Sequence, residues 1–480
     1  MNFLRVFTGL ACAAALMATP ARALNLSTEG VGQVLIFPYY TVNANQDTYV
    51  SIANESKNGM VVKVRFLEGR NGRPAADFNL YLAGNDTWAA AVTRSPDGNG
   101  VVLTTSDHSC TTPAIPPAGL AFSTAGFDGS GAFPADDAPH DASRIREGSI
   151  EVIAGGSLSD GSPKSVAITQ AAAGGPDAGQ PPGCATLPGS MYADVHAPEN
   201  GISGSAAVIN VAEGQYYAYK PDAIANFTTA ALFNASNGPL EPSLMQANSL
   251  LPSAGNVATT YLFLDESYSS LGATSQDYAF GIDAVTALFT KDTIRNDYFV
   301  GSNLGANTDW VVTYPTRRFY VDPVYGFTTM GSGRTAVAGD FVPVAADRDR
   351  GGALPTDQAV VTLPHNNVNV ISFLPNANAA SPSGVFSSTS VVNLSVTVDA
   401  GILRLEAGRY HRDQVMGGTN YPYIGFFGGP LFGEAVTGFM AYRTVNANAQ
   451  PGRLGNYGAT APYRSTRCTG ASIDAVICRY

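Results

Sequence analysis

Apolar and polar residues alternate most clearly between positions 32 and 105. In Val62, Lys63, Val64, Arg65 and Phe66 the apolar side chains share one face and both charges take the other, and Phe78, Leu80 and Leu82 alternate with Asp77, Asn79 and Tyr81 in the same way. A repeat of two residues is that of an extended strand with one buried face. Both runs are therefore expected to be half-buried antiparallel strands, with Val64, Phe66, Phe78 and Leu80 in the core and Lys63 and Arg65 in water. Gly69, Gly72 and Pro74 between them mark a hairpin loop. Residues 33–40, residues 47–53, and the set Trp88, Ala90 and Val92 supply three more strands. Short strands at this spacing predict a mainly β chain built from antiparallel, immunoglobulin-like β-sandwich domains.

The pattern changes after residue 105. Pro, Gly, Ala, Ser and Asp dominate residues 106–205, and strand patterning survives only at 148–154 and 165–169, so this stretch reads as a long Gly/Pro-rich insertion. Ile282, Val285, Leu288 and Phe289 fall on one helical stripe behind Asp283, with no Gly or Pro through Tyr298, which predicts one connecting helix over 283–298. Strands are expected again at 308–314 and 318–322. Val392, Leu394, Val396 and Val398 alternate with polar residues, and Asp399, Ala400 and Gly401 turn the chain into 402–406, a hairpin signal. The expected organisation is a leader at 1–23, sandwich strands at 24–105, the insertion at 106–205, strands plus the helix at 206–299, and a β-rich C-terminal domain at 300–480.

Composition narrows the class. Only 14% of residues are charged, and 51 Gly and 30 Pro stand among 480, which excludes a coiled coil or helical bundle. A formal net charge of −11 argues against nucleic acid and anionic membrane surfaces, both of which need a basic face. Residues 414–433 carry no charge, but their Gly and Pro exclude a spanning helix, so no membrane span is expected in the mature chain.

The N-terminus reads as an export signal: Arg5 precedes an apolar run over 6–18, and Ala21, Arg22 and Ala23 form a small-x-small cleavage pattern, so the mature chain is expected to start at Leu24. Of the five cysteines, Cys12 lies in this leader. The remaining four in an exported chain predict two disulfides, Cys110 with Cys184 and Cys468 with Cys478, since neighbours in sequence close the shortest loops. The expected location is the periplasm, the cell surface or the exterior.

No GxSxG elbow, HExxH helix or EF-hand loop is present, so no catalytic residue, metal site or cofactor is assigned. Gly331, Ser332, Gly333, Arg334 and Thr335 lack the lysine of a phosphate loop and read as a turn. Asp136 and Asp137 with His140 and Asp141, and Asp347 with Asp349, are the acidic neighbourhoods that a polymer-acting hydrolase or lyase would recruit. Solvated loops explain them without any chemistry, and sequence spacing alone does not place two carboxylates across a substrate. Tyr216, Tyr217 and Tyr219, and separately Tyr421 and Tyr423 with Phe426 and Phe427, are dense aromatic clusters suited to stacking on sugar rings or meeting a protein partner, or to packing a core.

Gly32 to Tyr40 with Asp47 to Asn54, the block Thr308 to Asp322, and Asp347 to Asp349 ahead of Asn367 to Phe373 resemble a group of exported proteobacterial proteins of unknown function. The resemblance is scattered over most of the mature chain and implies an exported β-protein without assigning a site. The expected function is a structural or binding protein of the bacterial envelope or exterior, with a glycan or envelope protein as partner.

Overall fold

Period-two patterning turns into sheet: the described residues are 48% strand and 12% helical. The computed structural model describes residues 23–171, 179–189, 194–233, 240–248, 258–263, 273–278, 280–301, 304–325, 340–347, 353–354, 361–364, 366–375, 382–407, 431–446, 450, 453, 455–470 and 476–478. In the N-terminal half, sheet I runs in the order Asn25–Leu26, Asp222–Ala225, Val34–Thr41, Glu147–Leu158, Gly59–Glu68, Pro74–Leu82 and Cys110–Thr112. Sheet II runs Gln215–Tyr219, Ile202–Asn210, Asp47–Asn54, Thr87–Arg94, Val101–Thr104 and Leu120–Ala121. The expected hairpin is present with Val64 opposite Phe78. Its apolar face meets Val50, Ile52, Trp88 and Val92 of sheet II in one core, so the two sheets form an antiparallel sandwich.

The outward face of sheet I is not in water. Val34, Ile36, Ile153 and Ile224 lie under the helix Gly281–Phe289 and under Phe319 and Tyr320, which form a second apolar cluster. Lys63 and Arg65, expected to be wet, are 1% and 3% exposed. Alternation had placed them correctly on the face opposite Val64; what it could not show is that a second layer covers that face. Each buried charge has therefore acquired a partner. Lys63 pairs with Asp77, and burial pulls the Lys63 ammonium down from its ordinary value while Asp77 pushes it back up. Arg65 Nη1 donates to Glu151 Oε1 at 2.8 Å, and Arg318 Nη2 donates to the other oxygen of the same carboxylate.

The C-terminal half forms a second sandwich. Sheet III joins Ala353–Leu354, Asp340–Asp347, Ala400–Ala407, Thr293–Phe299 and Arg464–Thr466, and sheet IV joins Val391–Val396, Val368–Pro375, Asn307–Thr313, Thr437–Thr444 and Tyr457–Pro462. Ile294, Trp310, Ile371, Leu394, Val396, Leu403 and Leu405 fill the space between them. The other side of sheet IV contributes Val311, Val370, Phe439 and Ala441 to the N-terminal core, so the halves share one apolar cluster.

Several local expectations change. The stretch 392–406 is not a hairpin: Val391–Val396 pairs in parallel with Val368–Pro375, whereas Ala400–Ala407 crosses into sheet III. Their apolar faces thus meet across the core as an arch, which the same alternation describes equally well. The helix ends at Phe289, and Thr293–Phe299 is a strand with Ile294, Asn296 and Tyr298 buried. Absence of Gly and Pro had suggested continuation, but Thr290, Thr293 and Ile294 are β-branched and favour extended backbone. Residues 165–169 and 318–322 belong instead to short helices, Pro163–Ile168 and Arg317–Val321, the first capped by the Ser162 side chain with Pro163 in its first turn. The stretch 106–205 is partly built into the sandwich, since Glu147–Leu158 lies in the middle of sheet I and is buried along its length. Gly148 has no room for a side chain there, because a Cβ would lie 1.9 Å from the Leu67 carbonyl oxygen. Among the described residues no helix is long and apolar enough to cross a membrane.

Cys110 on the edge strand of sheet I is bonded to Cys184, with 5.2 Å between their Cα atoms. Val61, Tyr81, Leu158, Ile168 and Leu187 pack around them. Cys468 and Cys478 are opposite each other in the paired strands Cys468–Gly470 and Val476–Cys478, and their side chains lie outside the described residues.

Two outcomes follow from this packing. Glu151→Gln leaves two guanidiniums facing a neutral amide in the interior and should cost about 3–5 kcal/mol in urea denaturation, whereas replacing Arg65, Glu151 and Arg318 together by Met, Leu and Met should recover most of that loss. Cys110→Ser with Cys184→Ser opens a link between positions 74 residues apart and should lower stability by about 4 kcal/mol through the unfolded chain, read by comparing denaturation midpoints of the oxidised parent and the variant.

Candidate functional site

The outer face of sheet II differs from an ordinary solvated sheet. Strand alternation directs Tyr49 and Ser51 outward from Asp47–Asn54, Ala89 and Ala91 from Thr87–Arg94, Ser205, Ala207 and Ile209 from Ile202–Asn210, and Tyr216 and Ala218 from Gln215–Tyr219. Pairing aligns these positions in rows across the strands: Ala218, Ala207, Tyr49, Ala91 and Thr104 form one, and Ser205, Ser51 and Ala89 the next. Small side chains between larger ones leave an open trough of about 660 Å³, reaching Thr105 and Ser106 at one end. Its fifteen lining residues include no Asp, Glu, Lys or Arg, where such a face ordinarily carries charge. Tyr49 and Tyr216 stand out of it at 45% and 57% exposure. At the Tyr216 end the neighbouring edge is covered by Tyr457–Pro462, whose Thr460 hydroxyl donates to the Ala218 carbonyl.

The aromatic cluster singled out in the sequence divides accordingly. Tyr216 lines the trough, but Tyr217 and Tyr219 point the other way and are core residues. The Tyr217 hydroxyl donates to Gln215 Oε1 at 2.7 Å and its ring meets Phe386 at 5.3 Å, while Tyr219 stacks on Phe439 at 4.5 Å and its hydroxyl bonds the Tyr39 carbonyl. Burial pushes both phenols above their ordinary range. Tyr421 and Tyr423, with Phe426 and Phe427, lie outside the described residues. Tyr49, which lines the trough beside Tyr216, does not stand out in the sequence, although its strand does. The signal available was the run of Ala, Ser and Thr at outward positions of four strands, which sets that face apart from a charged one.

The acidic neighbourhoods are organised differently. Asp136 is held by Arg144, with Arg144 Nη1 at 2.7 Å from Oδ1, and by Asn71 Nδ2 at 2.9 Å. Arg144 also grips Glu68 through Nε at 2.6 Å and Nη2 at 3.0 Å, and its guanidinium lies 4.0 Å from the Phe127 ring centre. Glu68 further accepts the backbone N–H groups of Arg70, Asn71 and Arg73. Asp136 is thus a structural partner of the loop it belongs to; Asp137, Asp141 and His140 are exposed beside it, and His140 Nε2 lies 2.8 Å from the Asp136 carbonyl oxygen. The Asp347 side chain and Asp349 lie outside the described residues. Two other buried carboxylates also organise loops. Glu147 accepts from the Tyr39 hydroxyl, the Thr389 N–H and hydroxyl, and the Ser390 N–H. Asp309 accepts from Ser372 Oγ and from the N–H groups of Val385 and Phe386, and burial pushes its carboxyl up against these bonds.

Comparison with protein-family models, with curated proteins and with solved structures finds no match to this chain.

The Asp136 contact has a pH signature. Burial raises the Asp136 carboxyl, but the bonds from Arg144 and Asn71 outweigh it and hold the group below its ordinary value. A depressed carboxyl contributes stability that is complete above the unfolded value of about 4 and is lost as pH falls through the folded one. Asp136→Asn should therefore be less stable than the parent at pH 7, and the gap between their denaturation midpoints should narrow as pH drops below about 4.

Proposed function

We propose that the chain is an exported binding protein of the cell envelope or cell exterior, and that the uncharged trough flanked by Tyr49 and Tyr216 is its binding face. The trough carries this reading: it is a concave face lined by small side chains and two exposed aromatic rings on a rigid sheet, the composition of a surface that exchanges water for a neutral partner. The leader pattern at 1–23 and the bonded Cys110 and Cys184 suit an oxidising compartment outside the cytoplasm. The resemblance to exported proteobacterial β-proteins points the same way.

Fractionation of the native host tests the reading. The chain should be recovered outside the cytoplasm with Leu24 at its N-terminus, and it should remain with envelope or extracellular material through washing. Ala207→Arg, which fills the trough with a long charged side chain, should release it while leaving its melting temperature within a few degrees of the parent. Intact Met1 in the cytoplasmic fraction, or equal retention of parent and variant, would overturn it.

A further inference from the structure

We infer that the trough takes a neutral, extended polysaccharide chain laid across the strands, its pyranose faces stacked on Tyr216 and Tyr49. This rests on the trough being the binding face and adds the chemistry of its occupant.

Charge is the first argument. None of the lining residues is ionisable at neutral pH, in a chain of formal net charge −11. An acidic ligand would leave bulk water without a counter-charge to meet it, and a basic one would find only the half-buried Asp47 opposite Ile209, outside the lining. A neutral one loses nothing by comparison.

Area is the second. Five strands about 4.8 Å apart, each lining the trough over about 10–17 Å, give no more than roughly 400 Å² of face. That is half of the about 800 Å² that each partner contributes to a standard stable protein interface. The Tyr457–Pro462 strand closes one end, so the face cannot be extended by adding a strand beside Gln215–Tyr219. A narrow ligand fits this footprint better than a second copy of the chain or a folded partner.

The placement of the rings is the third. Tyr216 lies opposite Ile209, and Ile209 opposite Asp47, so Tyr49 is two strands and two residues away from Tyr216. Strand spacing and rise put their Cα atoms about 12 Å apart on a diagonal. This is the order of a disaccharide unit in an extended chain. Between and beside the rings, Ala89, Ala91 and Ala207 let flat rings approach the sheet, and Ser51 and Ser205 offer hydroxyls to the sugar edge. A coiled glycan would touch only one ring at a time.

Calorimetric titration of the mature full chain with cellohexaose and with the hexamer of N-acetylglucosamine tests the inference, with maltohexaose as the coiled neutral control and a hexagalacturonate as the acidic one. One or both extended neutral hexasaccharides should bind. Tyr49→Ala and Tyr216→Ala should each weaken that binding about tenfold, equivalent to ~1.4 kcal/mol, and Ala207→Arg should abolish it, all three keeping the circular dichroism of the parent. No binding by either extended sugar, equal binding by maltohexaose or by the acidic hexamer, or affinity unchanged in the variants would overturn it. So would a concentration-dependent dimer in sedimentation that Ala207→Arg disrupts, since the occupant would then be a second copy. Loss of envelope retention in Ala207→Arg without any sugar binding would leave the binding face standing and remove only the polysaccharide.

Discussion

Glu151 lies in the central strand of sheet I with a guanidinium on each carboxylate oxygen, Arg65 from the neighbouring strand and Arg318 from the short helix of the C-terminal half. A carboxylate 1% exposed is costly to bury without such bonds, and each arginine is costly to bury without the carboxylate. Arg65 also reaches the Pro242 carbonyl, and Arg318 the Pro315 carbonyl at 3.0 Å, so segments distant in sequence converge on this triad. Its net energy is small beside that of the apolar layer around it. Its effect is on alignment: a shift of Arg317–Val321 by one residue along sheet I would strand the Arg318 guanidinium and take the donor from one Glu151 oxygen, whereas the apolar contacts of Phe319 and Tyr320 would tolerate sliding.

The same device recurs wherever an irregular segment is pinned to a sheet. Asp322 receives Arg73 through both Nε and Nη2 at 2.6 and 3.1 Å, Glu68 gathers three backbone N–H groups of its own loop, and Glu147 holds Thr389 and Ser390. Next to that last contact, Phe386 inserts between Tyr39, Tyr217 and Phe439, with Asp309 accepting from the two N–H groups at the insertion point. A chain so rich in Gly and Pro has long stretches of backbone that no ladder satisfies. Buried carboxylates supply acceptors there, each bonding to several donors. The low overall charge content is therefore misleading about electrostatics, because many of the charges are inside.

What could be read from the sequence and what could not divides along this line. Val62 to Phe66 against Phe78 to Leu82 was legible in strand, face and partner, because neighbouring strands joined by a short loop leave little choice. Whether the opposite face is wet depends on segments more than two hundred residues away, and Lys63 and Arg65 carry no local mark of it. Alternation also fails to name a partner when the turn is ambiguous: residues 392–406 have the right faces buried, but across a core instead of along a ladder. The helix was legible in its apolar stripe, though it begins at Gly281 with Asp283 inside its first turn rather than capping it, and not at its end, where β-branched residues rather than a Gly or Pro stop it. The trough was legible only in part. Tyr216 stood out as an aromatic, while Tyr49 gains its meaning from the alanines and serines that register places around it, and register belongs to the pairing of five strands.

Burial of charge in sheet I and its absence from the trough on sheet II are linked by the architecture. Sheet I is covered on both sides, so its polar face must be satisfied by ions drawn from the covering layer. Sheet II is covered on one side only, and its other face meets solvent with alanine, serine and threonine. Such a face is costly to leave flat and sticky at a sheet edge, but here Tyr457–Pro462 covers the Gln215–Tyr219 edge, and on the other side the short strand Leu120–Ala121 ends the sheet. With strand addition blocked in this way, the face can remain small and neutral without inviting other chains. A rigid sheet then holds Tyr49 and Tyr216 at a fixed separation, which no pair of aromatics on the surrounding Gly/Pro-rich loops could maintain.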